Sequence, residues 1–179
     1  MSGALNVKRY DASLQKLASS FHSGNQFLDR FLISPQSLDP NSGTTYVFLD
    51  DDDKVIIGYY NLGMGYIEEY DGIMRVKLGG AVHINEFALD IQYQDLVQEM
   101  LPDGSKMYLA DFLMIDCINR ISEIREKYIG CSFITLCATE DGYYLYRRHG
   151  FETVDEEMRF STEDDGIPFA SMYYAIEIE

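Results

Sequence analysis

The sequence predicts an α/β protein folded as one domain, and three observations lead there. Runs rich in β-branched and aromatic residues recur at 44–49, 54–64, 82–91 and 131–139. Segment 107–128 repeats apolar residues every three or four positions, the period of a long helix. Strand-like runs follow one another both across short turns and across helical segments, which gives a mixed sheet with helices packed on it.

In chain order, residues 11–20 carry Leu14, Leu17 and Ala18 at helical spacing, with Asp11 or Ser13 as cap. Residues 24–32 form a second helix with Phe27, Leu28, Phe31 and Leu32 on one apolar face. The segment 34–43 holds two prolines, an asparagine and a glycine and is a loop. Strands 44–49 and 54–64 flank the acidic turn 50–53 and make an antiparallel hairpin. A third strand is expected at 82–91, and 96–103 is ambiguous, broken by Pro102-Asp103-Gly104. The long helix at 107–128 should bury Phe112, Ile115, Ile118, Ile121, Ile124 and Tyr128 and expose Asp116, Arg120, Glu123 and Arg125, stopping at Gly130. The apolar run 131–139 is a buried strand. Residues 141–149 form a short helix ended by Gly150, and 151–154 and 171–178 are strands joined by an acidic loop with Gly and Pro.

Composition narrows the function. With 179 residues, Lys+Arg 14 and Asp+Glu 30, the chain carries a formal charge of −16 at pH 7. That charge disfavours nucleic-acid partners, whose binding rests on Lys and Arg neutralising phosphates. No apolar run follows Lys8 and Arg9 as a secretory signal requires, and the apolar stretch 55–67 is too short and glycine-broken to span a bilayer. Three cysteines (Cys117, Cys131, Cys137), none in a Cys-x-x-Cys pair, read as reduced thiols of a cytoplasmic protein. His22, His83 and His149 lie far apart in sequence, and no metal site is expected.

Several stretches carry a resemblance. Ser23-Gly24-Asn25 with Leu28-Asp29-Arg30-Phe31-Leu32, the 45–60 hairpin, Phe87-Ala88-Leu89-Asp90 with Tyr93-Gln94, and Leu145-Tyr146-Arg147-Arg148-His149-Gly150-Phe151 stand in one order between about Phe21 and Phe151. In that order they resemble the GNAT superfamily of acyl-CoA-dependent N-acetyltransferases, with the toxin-type branch the most similar. The resemblance implies a GNAT-like mixed, mostly antiparallel sheet flanked by helices, with the fourth and fifth strands splayed apart. It implies acetyl-CoA as acyl donor and an amine-bearing acceptor, and it allows a homodimer. The acidic balance of the chain suits a cationic acceptor.

One departure matters. The family's pyrophosphate loop offers backbone N–H groups from small residues directly after the fourth strand. Here Gln94 is followed by Asp95, Leu96 and Val97, and a similar pattern resumes only at Gly104-Ser105-Lys106. On the resemblance, Gln94, Gly104, Ser105 and Lys106 hold the cofactor phosphates, and the main chain of Ala88 and Leu89 holds its pantetheine arm and polarises the thioester. Tyr146 matches the tyrosine that protonates the leaving sulfur. Glu86 stands where some members keep a carboxylate base, and strand alternation puts it on one face with Ala88, opposite Phe87 and Leu89. The altered loop leaves a second class open: a non-catalytic interaction or inhibitor protein on the same scaffold. An aminoacyl-tRNA-acetylating toxin is disfavoured by charge.

Overall fold

The computed structural model describes residues 5–155, 157–160 and 169–176. The chain divides into two compact units, one of Met1–Leu62 with Glu86–Cys117, the other of Gly63–Asn85 with Ile118–Glu179.

The first unit opens with β1 (Val7–Arg9), a strand too short for the sequence pattern to reveal; it pairs antiparallel with β2 (Thr44–Leu49). The helix expected at 11–20 is a 3₁₀ segment, Gln15–Ser20. Its serines explain the change, since the hydroxyls of Ser19 and Ser20 bond the carbonyls of Lys16 and Leu17 and compete with α-helical pairing. Helix α1 (Gln26–Ile33) begins where Asn25 Oδ1 accepts the Phe27 N–H at 2.9 Å. Phe31 and Leu32 are buried, but Phe27, expected on the same apolar face, is exposed. Two proline-led 3₁₀ turns, Pro35–Leu38 and Pro40–Ser42, fill the predicted loop.

Strand β3 (Ile56–Tyr70) pairs antiparallel with β2 and runs past its expected end. Its glycines do not break it because they admit close neighbours. A Cβ on Gly58 would meet the Ala88 carbonyl oxygen at 2.9 Å, and one on Gly63 would meet Asn85 Nδ2 at 2.7 Å. Strand β4 (Arg75–Leu89) likewise begins seven residues ahead of the expected start. The ambiguous segment and the residues after it form a small hairpin, β5 (Val97–Met100) with β6 (Lys106–Tyr108), leading into α2 (Leu109–Lys127). The core of this unit gathers Phe21, Phe31, Leu32, Val47 and Ala88 around Tyr59, whose ring meets Phe21 edge-on at 5.5 Å and stacks with Phe31 at 6.1 Å.

Helix α2 buries Leu109, Leu113, Met114, Cys117 and Ile121, and of the predicted face only Ile121 is fully buried. Tyr128 and Ile115 are exposed. Positions 112, 115, 118, 121 and 124 are strictly three apart, so on a helix of about 3.6 residues per turn they drift around the axis and cannot share one stripe.

In the second unit β7 (Phe133–Ala138) runs parallel to β4, with Ala81–Ile84 opposite Phe133–Leu136. His83 lies buried on this ladder with Nδ1 2.7 Å from Thr135 Oγ1. Helix α3 (Glu140–Arg148), β8 (Glu152–Thr153), β9 (Met158–Phe160) and β10 (Ala170–Ala175) follow. Strand β10 pairs antiparallel with β7 and β8, and β9 pairs with β3. Part of the acidic loop expected between 154 and 171 is instead strand, since 158–160 form β9 and Ala170 opens β10, while 156, 161–168 and the end of the last predicted strand lie outside the described residues. Among the described residues, hydrogen-bonded neighbours run β1-β2-β3-β4-β7-β10-β8, a mostly antiparallel sheet with β9 added to β3. No helix among them is long and apolar enough to cross a membrane.

Candidate active site

The end of β4 is fixed by polar side chains drawn from distant parts of the first unit. Asp90, buried, accepts the N–H of His22 at 2.9 Å and that of Gln92 at 3.0 Å. The Ile91 N–H returns to the His22 carbonyl at 2.8 Å. Gln94 Nε2 donates to the Ser23 carbonyl at 2.7 Å and the Leu89 carbonyl at 3.0 Å. Gln94, expected to reach a phosphate, thus ties the strand end to residues 22–25, and one carbonyl of the expected pantetheine-binding pair is already engaged. Ala88 and Leu89 are both buried, while Glu86 and Phe87 are both half-buried. Both faces of the strand end are covered in part.

Glu86 lies within electrostatic reach of Tyr59. Burial drives the Tyr59 phenol far above its ordinary range, and the negative charges of Glu86 and Asp29 push it further. Its hydroxyl stays protonated and donates to the Leu28 carbonyl at 2.8 Å.

Gly104, Ser105 and Lys106 sit at the tip and return strand of the β5–β6 hairpin, ahead of the α2 N-terminus. Gly104 has φ +84°, and its N–H bonds the Leu101 carbonyl at 2.9 Å. The Ser105 N–H and hydroxyl both bond Asp103 Oδ1, at 2.9 and 2.6 Å, which holds that carboxyl below its usual range. The amides expected to cradle phosphate are therefore used inside their own turn. The start of α2 is also self-capped: buried Asp111 accepts the Tyr108 N–H at 2.7 Å, a carboxylate where the helix dipole favours an anion.

In the second unit Thr139 caps α3, its Oγ1 accepting the Gly142 N–H at 3.2 Å. Tyr146 is buried, with its ring edge-on to Phe151 at 6.0 Å. The ring lies over Gly142, where an added Cβ would stand 3.0 Å from Tyr146 Cε2. Glycine one turn earlier is what gives the tyrosine its place. His149 is the helix C-cap, and Gly150, at φ +86°, reverses the chain. Tyr143 packs against Phe169 at 5.6 Å, and Tyr144 is exposed.

A second cluster was not anticipated. His22 Nδ1 is 2.8 Å from Asp29 Oδ2, while Ser23 donates to Asp29 Oδ1 from its N–H at 2.8 Å and its hydroxyl at 2.6 Å. Burial raises the Asp29 carboxyl, but the bonds from Ser23 and His22 outweigh it, and the group sits below its ordinary value. Residues 23–29 fall within the N-terminal stretch of the resemblance, but nothing in spacing alone joins His22 to Asp29. Among the described residues no group of three or more His, Cys, Asp or Glu is placed to hold a metal.

This architecture is the GNAT acetyltransferase fold. No family model matches the sequence, and no curated protein matches it. Among solved structures, the chain is similar to AtaTR bound with AcCoA, at 18% identity and TM-score 0.66 over 96% of this chain and 94% of that one. A tyrosine-to-phenylalanine mutant of KacT matches at 16% identity and TM-score 0.65, over 97% and 95% of the two chains. A GNAT family acetyltransferase from Staphylococcus aureus Mu50 matches at 14% identity and TM-score 0.54, over 97% and 100%.

Proposed function

We propose that the chain, acting as one domain over residues 1–179 in the cytoplasm, is an N-acetyltransferase that moves an acetyl group from acetyl-CoA to an amine. The observation that carries this reading is the likeness along almost the whole chain to GNAT structures, one of them bound with AcCoA. Tyr146 is the proton donor to the departing sulfur, since a phenol with an ordinary pKa near ~10 is protonated at neutral pH. The main chain at Ala88 and Leu89 receives the pantetheine arm, and an N–H there stabilises the oxyanion that develops at the thioester carbonyl. Glu86 is one candidate to accept the amine proton. Of the expected phosphate ligands, Lys106 is exposed on β6 and supplies charge where the amides of Gly104 and Ser105 do not. The surplus of carboxylates suits a cationic acceptor.

Calorimetric titration with acetyl-CoA and with CoA tests the reading. Micromolar binding, with thiol release on adding amines that falls about 100-fold in Tyr146→Phe, supports it. Absence of heat at millimolar cofactor would sink it and turn attention to protein partners. A second reading, acetylation of aminoacyl-tRNA, is favoured by AtaT complexed with acetyl-methionyl-tRNAfMet, a similar fold at 16% identity. The charge of −16 opposes it. Growth arrest on expression, relieved by Tyr146→Phe, would favour the tRNA reading over the small amine.

A further inference from the structure

We infer that His22, oriented by Asp29, is the general base that takes the proton from the acceptor amine, an assignment that rests on the acetyl-transfer reading above. Three observations within the first unit carry it. The carboxylate of Asp29 only accepts hydrogen bonds, and its lowered pKa keeps it ionised at neutral pH, so the proton of the neutral imidazole sits on Nδ1, 2.8 Å from Oδ2. Nε2, on the far side of the ring, then carries the lone pair, and the His22 side chain is 65% exposed, open to an incoming amine. Finally, the backbone of His22 is bonded in both directions to the end of β4, through its N–H to Asp90 and its carbonyl to the Ile91 N–H. The His22 backbone is thus anchored to the residues that directly follow Ala88 and Leu89.

Ser23 does not convert this cluster into a nucleophilic triad. Its hydroxyl lies on Asp29, not on the imidazole, and it serves to lock the carboxylate against rotation. The transfer balances as follows. The ammonium gives one proton to Nε2, and the freed nitrogen bonds the acyl carbon as the C–S bond breaks. The imidazolium passes that first proton to solvent, Nε2 then takes the nitrogen's surplus proton as the sulfur gains one from Tyr146 or water, and exchange with solvent discharges the imidazolium and restores the sulfur's proton donor. Glu86, half-buried beside Tyr59, is the competing base.

The test combines three measurements on the full chain. Thiol release with spermidine as acceptor should fall about 100-fold in His22→Gln, while Glu86→Gln falls less. The acetyl-CoA dissociation constant should stay unchanged in His22→Gln. Nitrogen NMR of the histidines at neutral pH should give His22 as the Nδ1–H tautomer, and Asp29→Asn should abolish that preference. Unchanged turnover in His22→Gln, or an Nε2–H tautomer in the wild-type chain, overturns the assignment. Failure of the wild-type chain to bind acetyl-CoA at all overturns the acetyl-transfer reading, and the base assignment falls with it. If acetyl-CoA binds but spermidine is not acetylated, the tautomer decides.

Discussion

The end of β4 and the β5–β6 hairpin follow one another in the chain, yet they are held by opposite means. At the strand end, Asp90 and Gln94 bond residues 68 and 71 positions earlier, and Asp90 is buried. In the hairpin turn, Gly104 and Ser105 bond partners two to four positions away, and all four residues of β5 are exposed. Long-range bonds fix where the strand end lies relative to α1, so an imidazole and a backbone carbonyl acquire set positions. Local bonds fix only the shape of the hairpin itself. Positional accuracy, which acyl transfer requires, resides at the strand end.

Breaking the long-range ties should therefore cost most. Asp90→Ala removes the acceptor of two N–H groups in a buried setting and should destabilise the chain by about 3 kcal/mol, read from its urea midpoint. Gln94→Ala withdraws a donor shared by two carbonyls and should cost about 1.5 kcal/mol, with faster hydrogen exchange at the Ile91 amide. A cost below about 0.5 kcal/mol for both would erase the distinction. In the hairpin, Gly104→Ala places a side chain at φ +84° and should cost about 1 kcal/mol, while leaving acetyl-CoA affinity unaltered because the amide is already used in the turn. A large loss of affinity would return Gly104 to the phosphate cradle.

The smallest effect expected is one of pH. The Asp29 carboxyl has a folded pKa below its unfolded value of about 3.9, so its ionised form stabilises the fold. That contribution is complete above the unfolded pKa and is lost as pH falls through the folded one. The melting temperatures of the wild-type chain and Asp29→Asn should converge on acidification below that range. A gap that widened instead would show that Asp29 is held protonated.

Much of the fold was legible where one pattern decides it. The run 44–49 is β-branched and aromatic and packs as a strand, and Gly150 ends a helix because a left-handed residue carries a local rule. The sequence was less informative where tertiary contacts override such rules. Gly58 and Gly63 lie within the predicted strand, but that they are packing positions only Ala88, Leu113 and Asn85 opposite them reveal. The buried face of α2 was misread because a three-residue repeat mimics a stripe that it cannot form. At the site, Tyr146 had a motif around it, whereas His22 acquires its partner seven residues on only after Asn25 turns the chain into α1.

The hairpin that closes its own bonds has an evolutionary consequence. Substitutions and length changes at its tip leave the long-range bonds of the strand end in place, since those bonds do not draw on it. A segment of that kind behaves as an exchangeable cassette: exposed Glu99 can be traded for other residues on an unaltered scaffold, whereas Asp103 holds the turn through Ser105.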